Sequence, residues 1–311
     1  MQVGGKGRGV ASIPTVRERA LRQVAAAKPK APRKRIRELT WKTAAYVILG
    51  AVGVVQLIPF FWMISTSFKP RGTEFLWPPQ WIPNPVVLAN YPTALTLLPF
   101  FIFFRNTLII TIANMIGGIG TSLMAAYGFS RLRFPYRSLL FSVCLSTLML
   151  PDVVTLVPQF IMFKQLNWVN TFLPLIVPNW FGGSAFFIFL GRQFFTTIPM
   201  ELEDAARMDG ASSYRIWWSI MIPLSKAVIA SMAIFSFQSN WNDFTRPLVY
   251  LYDTDKQTMA LGLSVMKGVY QTDWNLLMAI STVFTIPMIV LFFLAQRQFM
   301  RGIVTTGLAG R

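Results

Sequence analysis

Residues 198–226 read IPMELEDAARMDGASSYRIWWSIMIPLSK, a polar stretch set between two long uncharged runs. Pro199 suits the first position of a helix, where its missing N–H is no loss. Glu201, Glu203 and Asp204 follow at once and complement the helix dipole. Leu202, Ala205, Ala206 and Met208 form a short face of small and apolar groups. Asp209 and Gly210 read as a stop. Ser212 or Ser213 can cap a second short helix to about Ile220, and Pro223 ends it. The expectation is a helix–turn–helix on one face of a membrane, continuous with a membrane helix: a knob that a partner protein can grip. An interfacial loop with no partner fits the same residues.

Outward from this stretch the chain is apolar. A helix needs about 20 mainly apolar residues to cross the hydrocarbon core. Six runs meet that length, at about 43–68, 106–130, 138–163, 171–191, 227–250 and 274–296. Asp152 interrupts the third, and Asp243 and Arg246 sit near one end of the fifth. Residues 85–104 are also uncharged, but Pro85, Asn90, Tyr91, Pro92 and Pro99 read as an external loop whose end, Leu97 to Phe104, lies in the interface. The reading is an all-α membrane protein with six transmembrane helices spread over 41–300.

Charge gives the orientation. The 311 residues hold 29 Lys and Arg against 12 Asp and Glu, a net +17, yet 54% are hydrophobic and only 13% charged. Such charge must be segregated along the chain. With both termini cytoplasmic, the inner side holds the tail through Lys42, the Arg131–Arg137 loop, the 192–226 loop, and Arg297 with the 301–311 end. Only Lys69, Arg71, Arg105, Lys164, Arg246, Lys256 and Lys267 fall outside. This is the positive-inside bias, and a seventh span at 85–104 would invert it. Trp77, Trp81, Tyr91, Trp168, Tyr250, Tyr252, Tyr270 and Trp274 mark the outer interface.

The basic tail, residues 1–40, is too long for the charged region of a signal peptide. Its Gly, Ala, Pro and Lys/Arg composition is expected to be largely disordered. Residues 15–27 can form a basic amphipathic helix on anionic lipid, or act only as a solvated topogenic segment. The composition also excludes chemistry. No His means no His-based triad, general base or metal site. The lone Cys144 allows no internal disulfide. No separate basic domain is large enough for nucleic acid.

Polar groups inside spans are functional candidates because burying them unpaired is unfavourable. Asn106, Asn114, Gln159, Asn179, Gln238, Asn240 and Asn242, with Trp180 and Trp241 beside them in sequence, suit a neutral polyol: paired hydrogen bonds and ring stacking without charge. The competing role for each amide is bonding helix to helix. Asp152 follows Pro151, which loosens the backbone inside the third span; a cation or proton site fits it, but a buried Lys/Arg or backbone-amide partner is the expectation. Gly117, Gly118, Gly120, Gly182 and Gly183 are expected to permit close packing or a kink.

Asp204-Ala205-Ala206, then Gly210, then Ile220-x-Ile222-Pro223 is similar to the EAA–G–I-x-L-P signature of ABC-importer permeases. Asp204 stands for the usual Glu and Ile222 for the usual Leu. Thr66-Ser-Phe-Lys69, Trp81-Ile-Pro83, Asn90-Tyr91, Arg105-Asn-Thr-Leu108, Ala125 to Arg131, Phe134, Met149-Leu-Pro151, Pro158, Asn240 to Phe244, Pro247-Leu248 and Arg301-Gly302 also resemble the carbohydrate-uptake branch, in the smaller of its two permeases. The resemblance covers about residues 40–310 and leaves the basic tail unexplained.

The resemblance implies the type I importer fold in a prokaryotic cytoplasmic (inner) membrane, with a second homologous permease, two ATPase subunits, an extracytoplasmic solute-binding protein and a sugar as partners, amid membrane lipid. No residue would be catalytic and no metal or cofactor held. ATP and Mg would be used by the partner ATPase, since Gly4-Gly-Lys-Gly-Arg-Gly9 lacks the phosphate-loop spacing. Within the 199–223 loop the ATPase-coupling residues would be Glu203, Asp204, Ala205, Ala206, Asp209, Gly210 and Pro223. The binding protein would dock on 69–104 and 248–273. The alternatives are a permease for a non-sugar solute, a stand-alone ion-coupled carrier, or a membrane-embedded enzyme, which would need a nucleophile–base pair or two facing Asp residues.

Overall fold

The computed structural model describes residues 32–267 and 273–308, with side-chain surroundings for 40–267 and 273–296. The 15–27 segment, most of the basic tail and Tyr270 lie outside the described residues. Residues 1–60 and 61–311 form two separate units.

All regular structure among the described residues is helical. The helices are α1 (Pro32–Ser67), α2 (Asn90–Leu97), α3 (Phe100–Arg131), α4 (Arg137–Ser146), α5 (Asp152–Gln165), α6 (Leu173–Trp180), α7 (Ala185–Thr197), α8 (Met200–Met208), α9 (Ser213–Leu224), α10 (Lys226–Trp241), α11 (Thr245–Tyr250), α12 (Met259–Val265) and α13 (Trp274–Leu308). Residues 32–40, the described end of the basic tail, are helical as part of α1.

Four stretches are long and apolar enough to cross a membrane: Thr40–Ser67, Phe100–Arg131, Leu173–Thr197 and Trp274–Gln296. Two bent pairs raise the number to six if each counts as one span: Arg137–Met149 with Asp152–Gln165, bent by 99°, and Ser213–Leu224 with Lys226–Trp241, bent by 80°. Both bends have local causes. Leu150 precedes Pro151, which pushes it out of the helical region. Pro223 has no N–H for the helix ladder, the turn widens to π geometry over Trp217–Met221, and the Ser225 hydroxyl donates back to the Met221 carbonyl (2.6 Å).

Three expected spans change in outline. The second begins at Phe100 rather than 106, and α2 occupies part of the expected loop at 85–104. The fourth extends to Thr197. The fifth, expected over 227–250, stops at Trp241. Asn240 and Asn242 donate their side-chain amides to the carbonyls of Ser236 (2.7 Å) and Gln238 (2.9 Å), and Asp243 caps the next helix by accepting from the Arg246 N–H (3.3 Å). These local bonds compete with helix continuation.

α3 is the central post. Along the half that ends at Arg131, Leu123, Ala126 and Tyr127 pack with Phe187 and Phe195 of α7, Ile216, Trp217 and Met221 of α9, and Met232 of α10. Near its start, Phe100 and Phe103 pack with Ala94, Met259, Leu276 and Ile280. Between lipid-bathed helices there is no hydrophobic drive to associate, so small residues and polar bonds decide the contacts. Gly117 is one such place: a Cβ there would meet the Trp180 ring at 2.3 Å. Gly183 is another. It takes a left-handed φ of 58° at the break between α6 and α7, and the Ser122 hydroxyl of α3 accepts the freed N–H of Ser184 (3.0 Å). The expected close packing at these glycines is thus present, and α3 repairs the backbone where the neighbouring span is broken.

Candidate functional site

The helix–turn–helix forms as local rules dictate. α8 runs Met200–Met208 with Pro199 as its cap residue, so the helix begins one position later than expected. It ends in a Schellman arrangement: Gly210 adopts φ 77°, its N–H donates to Arg207 O (3.0 Å), and the Ala211 N–H donates to Ala206 O (2.9 Å). Between the two expected caps the structure selects Ser212, whose hydroxyl accepts from the Arg215 N–H (3.3 Å). Asp204, Asp209, Gly210 and Pro223 are exposed, as are Leu202, Met208, Tyr214 and Trp218. Ala205 is exposed and Ala206 half-buried. A cavity of about 210 Å³ opens between Ala206, Asp209, Arg215 and Ser219.

Glu203 differs from the rest of the expected coupling set. It is 1% exposed and points into the protein. Its Oε1 accepts from the Tyr127 hydroxyl (3.1 Å) and from Arg207 Nη2 (2.7 Å). Its Oε2 lies 3.9 Å from Arg131 Nε. Arg131, itself buried at the end of α3, donates to the carbonyls of Phe195 and Ile198 and touches Met200 Sδ. Trp217 of α9 donates to Leu123 O (3.3 Å). In the sequence Arg131 is a loop charge and lies with Tyr127 in the 125–131 stretch that carries the family resemblance, but nothing there names Glu203 as their partner. The one available signal was the Glu203–Arg207 spacing of four, which predicts a helix-surface pair but not its burial.

The membrane amides divide into two groups. Asn114, 2% exposed, accepts from Asn179 (2.9 Å) and donates to Leu175 O (3.0 Å) and Asn240 Oδ1 (2.6 Å). It ties α3 to α6 and α10. Asn106, fully buried, donates to the carbonyls of Asp255 (2.8 Å) and Gln257 (3.0 Å). Trp241 is buried among aromatic rings. Asn179 and Asn240 are half-buried, whereas Gln159, Trp180, Gln238 and Asn242 are exposed. Trp180 donates its indole N–H to Ala113 O (3.1 Å). Asp152 is exposed in the first turn of α5, and no ion pair to it occurs among the described residues. Replacing Asn114 with Ala leaves the Asn179 amide and the Asn240 oxygen without their partner. Polar bonds between membrane helices reach about 1–2 kcal/mol, so the variant should be destabilised by that amount and unfold at a lower temperature in detergent, whereas Gln159→Ala should leave the midpoint unchanged.

At the Asn106 end of α3 a second cluster joins two loops. Asn170, at φ 62°, accepts the N–H groups of Tyr252 and Asp253 (both 3.1 Å) and donates to Asp253 Oδ2 (2.7 Å). Lys256 Nζ meets the same carboxylate at 2.8 Å. The Lys256 ammonium, then the Asn170 amide, holds Asp253 below its ordinary 3.8. Asp253 in turn raises Lys256. For Asp253 the folded pKa is depressed, so its contribution is present above pH 3.8 and is lost as pH falls through the lower folded value. For Lys256 the folded pKa is raised, so its contribution is present below 10.5 and is lost at still higher pH. Amide exchange at Tyr252 and Asp253, corrected for intrinsic rates, should therefore accelerate on acidification below pH 3.8. Asp253→Asn should abolish that dependence.

Just beyond α1, Lys69 is buried with its Nζ 3.7 Å from the centroid of the Trp62 ring. Burial pushes its pKa down, and the Glu74 carboxylate opposes this. Asn90 holds the adjoining carbonyls of Ser67 and Lys69 (both 2.9 Å).

Apolar helices of membrane-crossing length, with an exposed helix–turn–helix packed on their core, define a multi-pass membrane protein. A family model described as "Binding-protein-dependent transport system inner membrane component" matches residues 118–304, and the chain belongs to that family of ABC-transporter permeases. It is 31% identical over 273 residues to the probable ABC transporter permease protein YurM of Bacillus subtilis, covering 86% of this chain and 89% of that one. It is 32% identical over 276 residues to the sn-glycerol-3-phosphate transport system permease protein UgpE of Salmonella typhi, covering 86% and 97%. Its fold matches a chain of a bacterial ABC transporter involved in import of the acidic polysaccharide alginate, with a TM-score of 0.75, 22% identity and coverage of 88% and 100%.

Proposed function

We propose that this chain is one permease of an ATP-driven importer for a sugar or oligosaccharide. It crosses the membrane six times with both termini inside, each bent pair counting as one span. A second permease completes the pathway, two ATPase subunits hydrolyse Mg-ATP, and an external binding protein delivers the solute. The carrying observation is the helix–turn–helix, whose outward side exposes Leu202, Asp204, Met208, Gly210 and Tyr214 while its inward side is locked to α3. An exposed, rigidly held apolar and acidic surface suits docking into a cleft of another protein. Asp204 is the polar anchor, and Gly210 sets the angle of the knob.

The carbohydrate class draws support from the relatives. One is a glycerol-3-phosphate permease and another a chain of an alginate importer. A further match, with a TM-score of 0.62, is to an alginate transporter in complex with an alginate pentasaccharide-bound periplasmic protein. On this chain the loops at 69–104 and 248–273 are the surface for such a protein. The exposed Gln159, Trp180, Gln238 and Asn242 are the candidates for contact with solute; Asn106, Asn114 and Trp241 hold the scaffold around them. Co-expression with the neighbouring ATPase and binding-protein genes tests the proposal. The ATPase should co-purify with this chain, and a saccharide panel against the binding protein should yield a ligand. Purification without any ATPase subunit would overturn it.

A further inference from the structure

α3 carries a row of inward-facing polar ties to the helix–turn–helix, at residues four apart. The Leu123 carbonyl accepts from Trp217. One turn on, the Tyr127 hydroxyl donates to Glu203. At the next turn Arg131 faces Glu203 and binds the carbonyls of Phe195 and Ile198. Residues spaced by four share one helix face, so a single edge of α3 holds both halves of the knob. The helices covalently joined to the knob are held less directly. Ile198 and Pro199 are both extended between α7 and α8, and α9 meets α10 at an 80° bend.

We propose that α3, and not the helices flanking the loop in sequence, is the arm that carries motion of the knob into the membrane. Arg131, Tyr127 and Glu203 are the positioning residues of that joint. This rests on the reading of 199–223 as the ATPase-coupling loop. The physical reason is the difference between polar and apolar contacts. Apolar helix faces slide past one another by small shears. The Glu203 carboxylate is fixed in direction by hydrogen bonds from the Tyr127 phenol and the Arg207 guanidinium on Oε1. Arg131 stands 3.9 Å from Oε2 as a compensating charge without a hydrogen bond to it, and separating them leaves an uncompensated buried charge. The side chains of Arg131 and Glu203 are 3% and 2% exposed, so water cannot take the place of either. Arg131 also covers the carbonyls that α7 leaves open at its end.

The other end of α3 gives the arm something to move. Asn106 holds the carbonyls of Asp255 and Gln257, and the Thr107 hydroxyl accepts from the Met259 N–H (2.8 Å). Asn114, midway, holds α6 and α10. One helix, about 48 Å long at 1.5 Å per residue, is therefore bonded to the knob at one end and to the 255–259 loop at the other.

The test uses the assembled importer in nanodiscs with Cys144→Ser and spin labels at two exposed positions, Glu201→Cys on α8 and Ile116→Cys on α3. Distances are measured without nucleotide and after trapping with Mg-ATP and vanadate. The unmodified joint should give one narrow distance, the same in both states. In Glu203→Gln, which keeps the shape, and in Arg131→Met, that narrow distance should be lost in complexes that retain ATPase subunits. It should also shift on trapping, because α8 follows the ATPase while α3 lags. The equilibrium weight of the coupled arrangement should fall roughly 5- to 30-fold. A merely structural role would lower the yield of complex but leave the distance in assembled complexes unmoved. The proposal is overturned if the unmodified distance itself shifts on trapping, or if both variants keep the narrow distance. Should the unmodified chain retain no ATPase subunit, the coupling reading fails instead, and the nucleotide-free distances of the unmodified chain and Glu203→Gln still decide whether the joint is rigid.

Discussion

Trp241→Ala should destabilise the protein by about 3–5 kcal/mol, the range for truncating a large buried aromatic side chain. Trp241 is 1% exposed and joins three helices. Its ring stacks on Phe237 within α10 (5.0 Å, 13°) and on Phe284 of α13 (5.3 Å, 16°). Phe104 of α3 meets it edge-on at 5.7 Å. Its indole N–H donates to the Phe284 carbonyl (3.1 Å), beside Pro287 in α13. Truncation would leave a cavity at this junction and remove the donor. Trp241→Phe keeps most of the ring contact and loses the donor, for which about 1 kcal/mol is expected. Thermal unfolding of the detergent-solubilised protein separates the two. Equal, small shifts for both variants would show that Trp241 is not the weld between α3, α10 and α13.

Gly210→Val should cut retention of the ATPase subunits about 5- to 30-fold while leaving membrane insertion intact. At φ 77° a side chain with a Cβ meets the following carbonyl, which is unfavourable by about 1–2 kcal/mol, and a β-branched residue fits worse still. Space is not the obstacle, because a Cβ at Gly210 would have nothing within 4 Å. The whole effect is therefore conformational: either the strain is borne, or the turn opens and swings α8 away from α9. Gly210→Asn, which tolerates the left-handed region, should retain most of the binding. A Val variant that retains ATPase like the unmodified chain, measured by quantitative co-purification, would remove Gly210 from the docking geometry.

The exposed and buried acids of α8 show what kind of information each step needed. Asp204 and Glu203 are neighbours in a polar stretch, and nothing local tells which of them is buried. In the fold, Asp204 is exposed while Glu203 meets Tyr127 from 76 positions earlier in the chain. The amides divide for the same reason. Asn114 and Gln159 look alike inside apolar runs, but only Asn114 faces partners, at Leu175, Asn179 and Asn240. The apolar run to residue 250 outlasts helix α10, which ends at Trp241, because hydropathy does not register the side-chain bonds of Asn240, Asn242 and Asp243.

The sequence by itself determined what depends on neighbours along the chain: the apolar runs, the charge segregation, the Gly210 turn with a serine cap at one of two positions after it, and the helix end at Pro223. Burial in lipid and local backbone geometry are set within a turn or two of helix, so a one-dimensional reading reaches them. The tertiary structure alone decided which polar groups are tied to one another. Arg131, Tyr127 and Glu203 meet because α3 is packed between α7 and the helix–turn–helix, and Asn106 reaches the 255–257 loop for a similar reason. Such bonds depend on how helices far apart in sequence approach one another, and that approach is set by small residues and matched shapes rather than by any pattern legible along one strand of chain.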